Sequence, residues 1–152
     1  MPRTCFLFIL LFVTVNCQAQ WLKLKTNIST EDNLYDSIVA IIADESGNVN
    51  RLKISKEYTF KLKLNNHYQI TFIKPDAVAY KFEVNTHLSV ESGKTNYTCK
   101  TAIFLEKSNP DDAKAQKEKA CKTRMTISFH KDKKAFSNDK KAFSNKKLRI
   151  FQ

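Results

Sequence analysis

The segment from Glu57 to Thr86, EYTFKLKLNNHYQITFIKPDAVAYKFEVNT, leaves the chain few ways to fold. Tyr58, Phe60, Leu62 and Leu64 alternate with Thr59, Lys61 and Lys63. Tyr68, Ile70 and Phe72 then alternate with Gln69, Thr71 and Ile73. After Lys74-Pro75-Asp76, Tyr80, Phe82 and Val84 resume the pattern against Lys81, Glu83 and Asn85. A period of two sends successive side chains to opposite faces of a strand. Three strands are predicted, each with one buried and one wet face. Asn65-Asn66 stands where a two-residue hairpin turn would join the first two, because Asn tolerates positive φ.

The flanks extend the same theme. Trp21 to Thr26 (WLKLKT) reads as an opening edge strand whose lysines discourage edge-to-edge pairing. Asn27 to Leu34 reads as a polar loop. Ser37 to Ala43 (SIVAIIA) is a continuous apolar, β-branched run between Asp36 and Asp44, which predicts a central strand. Asp44 to Asn48 forms a turn cluster, and Val49 to Ile54 a further strand. His87 to Asn96 is a polar connection, and strand character returns at Cys99 to Lys107. Asn109 is placed to cap a helix, with Pro110 at its first position and Asp111-Asp112 in its first turn. Residues 110–119 therefore read as a short exposed helix or a charged loop, with no apolar stripe to bury. Met125, Ile127 and Phe129 alternate once more, and Leu148, Ile150 and Phe151 are candidates for a closing strand. Strands at this spacing predict an all-β fold, a β-sandwich.

The order strand, turn, FKLKLNNHYQITFIKP, then YKFEVNT, resembles the carboxypeptidase-regulatory-like, or transthyretin-like, sandwich of exported Gram-negative envelope proteins. Phe60, Leu62, Leu64, Tyr68, Ile70, Phe72, Lys74, Lys81 and Thr86 occupy the matching places. The resemblance covers Ser37 to Thr86. Asp76 replaces the family's turn glycine, and Asp tolerates left-handed geometry. Ala77 replaces its aromatic residue, and Glu57 the glycine before the first strand. The resemblance implies a single Ig-like or transthyretin-like antiparallel β-sandwich of about seven strands, serving as a non-catalytic accessory module, although a fold of this kind does not fix a function.

Residues 1–19 do not read as part of the sandwich. One positive charge at Arg3, an apolar run from Cys5 to Val15, and Cys17-Gln18-Ala19 before Gln20 match a secretory signal peptide cut after Ala19. The run is too short for a bilayer span. The expected product is an exported chain, periplasmic or secreted. The alternative is a lipid-anchored form beginning at an acylated Cys17. Thr14-Val15-Asn16 argues against it, since small residues are expected before such a cysteine. Asn27-Ile28-Ser29 and Asn96-Tyr97-Thr98 match the N-glycosylation sequon, read here as chance matches in a bacterial chain. Domain boundaries follow as a signal peptide at 1–19, a sandwich at 20–131 and a basic tail at 132–152. The tail carries a tandem DKKAFSN repeat, Asp132 to Asn138 and Asp139 to Asn145.

Two cysteines, Cys99 and Cys121, remain after cleavage and are candidates for a disulfide in an oxidising compartment. Closing that loop of roughly twenty residues would stabilise the fold by about 3 kcal/mol on the chain-entropy account. The alternative is two buried thiols.

The net charge of +11 is unevenly placed. Gln20 to Ala113 carries twelve Lys/Arg and twelve Asp/Glu, whereas Lys114 to Gln152 carries thirteen against three. Phe136 and Phe143 interleave the late lysines. Lys133, Lys134, Lys140, Lys141, Lys146, Lys147 and Arg149 are the candidate anion-binding residues. Export argues against nucleic acid and leaves lipid headgroups, lipopolysaccharide or acidic polysaccharide as the available polyanions. The competing account is a solvated lysine face that keeps the chain soluble. Catalytic chemistry finds no footing. His67, His87 and His130 lack metal-ligand spacing. No glycine-flanked serine elbow or phosphate-cradling glycine loop occurs. The carboxylates are scattered over turns and strand ends. The expectation is a non-enzymatic module without cofactor or metal, acting on an envelope protein or a polyanionic surface.

Overall fold

The structure, a computed structural model, describes residues 20–88, 96–109 and 123–138. Nine strands account for most of these residues. They are β1 (Trp21–Thr30), β2 (Ile38–Asp44), β3 (Val49–Ile54), β4 (Glu57–Lys63), β5 (His67–Ile73), β6 (Tyr80–Asn85), β7 (Asn96–Leu105), β8 (Thr123–His130) and β9 (Ala135–Asn138). They form a three-stranded sheet, β4-β1-β7, and a six-stranded sheet, β3-β2-β5-β6-β8-β9. The two sheets pack against each other. The all-β sandwich is what the chain forms, with nine strands among the described residues in place of about seven.

Alternation decides which side chains fill the space between the sheets. Leu22, Leu24, Ile28, Phe60 and Ile103 enter from the small sheet. Ile38, Ile70, Phe72, Phe82, Val84 and Ile127 meet them from the large one. Phe60 and Phe72 touch edge to face across the gap, their centroids 6.1 Å apart. Tyr97 of β7 lies 5.7 Å from Phe129 and 5.3 Å from Phe136, and this aromatic group ties the small sheet to β8 and β9. Such contacts add about 0.5–1.5 kcal/mol per pair beyond the area they bury.

Two local expectations are corrected. First, β1 is no edge strand and does not stop at Thr26. It runs to Thr30 between β4, antiparallel, and β7, parallel. The polar look of Asn27-Ile28-Ser29-Thr30 hides a continued alternation, with Ile28 and Thr30 buried and Asn27 and Ser29 exposed. Thr26, also buried, donates from Oγ1 to the Tyr58 carbonyl at 3.0 Å.

Second, Asn65-Asn66 is not a hairpin turn. β4 and β5 belong to different sheets, so this is a corner where the chain crosses the sandwich. Asn65 takes the left-handed conformation the turn residue was expected to supply, with φ 57. Side chains from β5 and from the end of β6 hold the corner. The Tyr68 hydroxyl accepts from the Lys63 amide at 3.1 Å. Thr86, fully buried, accepts from the Asn66 amide at 3.0 Å, and its hydroxyl lies 2.8 and 2.7 Å from the Lys63 and Asn66 carbonyls. Buried backbone groups that leave the ladders are thereby satisfied.

The SIVAIIA strand is internal, between β3 and β5, as its apolar run predicts. Ile38 and Ala40 are buried, while Val39 and Ile41 lie half-buried on the outer face.

The Lys74-Pro75-Asp76 turn joins β5 to β6 with Asp76 at φ 62, the left-handed geometry expected of the residue in the glycine's place. The Val78 amide donates to Glu106 at 2.8 Å and the Ser108 amide to Asp76 at 2.7 Å, fastening the turn to the end of β7. The sandwich also runs past residue 131. Lys131 to Lys134 make a turn, and Ala135–Asn138 of the first DKKAFSN copy pair with β8, burying Phe136. The signal-peptide stretch, the 110–119 helix or loop, the second repeat copy and the closing strand at 148–151 lie outside the described residues.

Candidate functional site

Most side chains with chemical potential serve the local architecture. Asp44 closes the β2–β3 turn, accepting from the amides of Ser46 at 3.0 Å and Asn48 at 2.9 Å. The Asn48 side-chain amide reaches its other oxygen at 2.8 Å. That side-chain bond, helped by the two backbone amides, holds the Asp44 carboxyl below the usual range. His67 Nε2 lies 3.7 Å from a Glu83 carboxylate oxygen across the β5–β6 pair. His87 bonds the Asn85 side chain through its amide at 3.0 Å and Nδ1 at 2.9 Å. His130 ends β8, paired with Ala135 of β9. The three histidines thus sit on separate elements, and no group of three potential metal ligands occurs among the described residues.

Lys74 is the one buried cation among the described residues, and its ammonium meets the Asp32 carboxylate at 2.5 Å. The ion pair pins the loop after β1 to the β5–β6 turn. Hydrogen bonding from Lys74, reinforced by the Leu34 amide, drives the Asp32 carboxyl far below its ordinary value. A depressed carboxylate contributes stability above its unfolded-state pKa and loses it as the pH falls. Asp32→Asn is therefore expected to lower the thermal midpoint at neutral pH, by an amount that shrinks as the pH is taken from 5 to 2. Scanning calorimetry of both proteins across that range reads the effect, and a gap that stays constant would contradict it.

Cys99 lies on the inward face of β7, 5% exposed and paired with no cysteine among the described residues, with Sγ 3.9 Å from the Lys100 carbonyl. Burial raises its pKa, which disfavours the reactive thiolate. Its proposed disulfide partner, Cys121, lies outside the described residues.

Of the candidate anion-binding residues, Lys133 and Lys134 are exposed at the β8–β9 turn, Lys134 with φ 47. Lys140, Lys141, Lys146, Lys147 and Arg149 lie outside the described residues.

A second set of cations escaped the sequence reading. The outward positions of the small sheet hold Lys23 and Lys25 on β1, Lys61 and Lys63 on β4, and Lys100 on β7, all exposed. Register sets Lys23 opposite Lys61, and Lys25 beside Lys100. Glu57 is the one acidic side chain on this face among the described residues. The signal was present in WLKLK, FKLKL and TCKTA, where each lysine alternates with a core residue. Gathering them on one face needed the pairing of β1 with β4 and β7, which is not local.

Among the described residues, no helix is long and apolar enough to cross a membrane. No protein-family model matches the chain, and no curated protein matches it.

Proposed function

We propose that this protein is a non-enzymatic interaction module, an exported β-sandwich that acts through its surface in the bacterial cell envelope. The observation that supports this most directly is where the titratable groups sit. Asp32, Asp44, Lys74, His67 and His87 each engage a neighbour that fixes a turn or a strand pair. A general acid or base needs a substrate within hydrogen-bond reach. These groups instead hold the scaffold on which exposed faces are displayed. The export signal and the likeness of Ser37 to Thr86 to carboxypeptidase-regulatory-like sandwiches supply the compartment and the accessory role. A hydrolase screen of the purified chain tests the reading. Inactivity towards ester, peptide and glycoside substrates is expected. An activity abolished by His67→Gln or Asp44→Asn, with the fold retained, would end it.

A second reading is favoured by the exposed Lys131 to Lys134 turn, which leads directly into the basic segment beyond Asn138. In it the tail binds anionic surfaces such as lipid headgroups, lipopolysaccharide or acidic polysaccharide. Such binding weakens steeply with added salt, because exposed charges are screened within about 10 Å at 0.1 M.

A further inference from the structure

We propose that the outer face of the β4-β1-β7 sheet is a binding surface for a linear acidic polysaccharide. This deepens the interaction-module reading by naming a face and a ligand class, and it does not depend on the basic tail.

Charge sorting carries the argument. Gln20 to Ala113 is neutral along the chain, with twelve cations and twelve acids. The pleat nevertheless places five of those cations and one of those acids on this single face. Lys23 and Lys25 stand about 7 Å apart along β1, the two-residue strand repeat. Lys61 faces Lys23 from the neighbouring strand, and like charges directly opposite one another destabilise a sheet. No ion pair relieves Lys23, Lys25, Lys61 or Lys100 among the described residues. Lys63 contributes weakly to the field at Asp44, and Glu57 shares the depression of Lys25 and Lys100 without pairing with either, so the face keeps a large cationic excess. An external polyanion is the partner that turns this repulsion into attraction.

The rest of the face selects among polyanions. A shallow depression of about 780 Å³ crosses the sheet, lined by Lys25, Asn27, Thr59 and Lys100 among others. Asn27, Thr59 and Thr98 set amides and hydroxyls between the ammonium groups, which suits a ligand that alternates carboxylates with hydroxyls. Trp21, half-buried at one end between Lys63 and Asn96, offers a ring on which a sugar can lie. A bilayer would call for apolar tips among the cations; the one large exposed apolar side chain of this face among the described residues, Phe104, stands opposite Ser29 at the far end from Lys23 and Lys61. A single-stranded nucleic acid would call for a row of stacking aromatics.

The test uses the full exported chain, with polygalacturonate as the linear polyanion, neutral dextran as the control and phosphatidylglycerol vesicles as the lipid surface. Salt-sensitive binding to polygalacturonate and none to dextran are expected. In Lys23→Gln/Lys25→Gln/Lys61→Gln, affinity is expected to fall by about tenfold or more, with a shallower salt slope. The thermal midpoint should stay level or rise, because the Lys23–Lys61 repulsion is gone. Lys100→Gln, on the other neighbouring strand, should weaken binding in the same direction even if the triple variant folds poorly. A chain carrying Lys133→Gln, Lys134→Gln, Lys140→Gln and Lys141→Gln should bind as the parent does. Full affinity in the sheet variants, or a loss confined to the tail variant, would overturn the proposal. So would lysine-dependent binding to vesicles that exceeds binding to polygalacturonate. A hydrolase activity would overturn the module reading and leave this binding result to be judged separately.

Discussion

Phe72→Ala is expected to lower the unfolding free energy by about 3–5 kcal/mol, the range for deleting a buried aromatic side chain. Phe72 is fully buried on β5, an interior strand of the large sheet. It stacks on Phe82 with centroids 5.7 Å apart and planes 9° from parallel, and it meets Phe60 of the opposite sheet. Removing the ring opens a hole in the centre of the sandwich. Ladder hydrogen bonds on both sides of β5 hold its backbone, so the walls cannot close over the gap. Urea unfolding of the variant beside the parent measures the loss. A cost under about 1.5 kcal/mol would mean that the two sheets draw together more freely than close packing allows.

Thr86→Val should cost about 1–3 kcal/mol although it changes almost nothing in shape. The valine fills the same space but leaves the Asn66 amide without its acceptor and removes the one hydroxyl proton that the Lys63 and Asn66 carbonyls share. The Asn66 carbonyl keeps the Thr86 amide at 2.9 Å and the Lys63 carbonyl keeps the Tyr68 hydroxyl at 3.4 Å, so the loss falls chiefly on the Asn66 amide. Thr86→Ser keeps the hydroxyl and should lose much less. Hydrogen exchange supplies the local reading, since the Asn66 amide should lose protection in the valine variant well before the β5 amides do. Equal stability of the valine and serine variants would show that water satisfies this corner.

The buried half of each strand was legible because it is a local property. Phe60, Leu62, Tyr68, Ile70, Phe72, Tyr80, Phe82 and Val84 all occupy the core their spacing assigned. Parity says which face a residue joins but not which sheet its strand joins. Asn65-Asn66 has suitable residues for a hairpin and also for a corner. The choice was made by contacts with Thr86, some twenty residues away, that no local pattern contains. The same limit hid the lysine face. Charge counted along the chain cancels between Gln20 and Ala113, whereas charge sorted by pleat and register does not. At β1 the misreading came from composition. Asn27, Ser29 and Thr30 look like loop residues until Ile28 is seen to keep the beat.

The position of β1 also bears on how the molecule reaches its native state. This strand, the first of the nine, is the middle strand of its sheet, and its parallel neighbour begins at Asn96, in register with Trp21. The ten-residue ladder between them cannot form until Leu105 has left the ribosome. β6 likewise waits for β8, its parallel partner, across the whole of β7. Loop closures of this length come early in cost and late in reward, which places the protein among slow folders, on the millisecond-to-second scale of sandwiches rather than the microseconds of helical bundles. A chain that stays open that long remains threadable, and it remains exposed to any protease or chaperone it meets first.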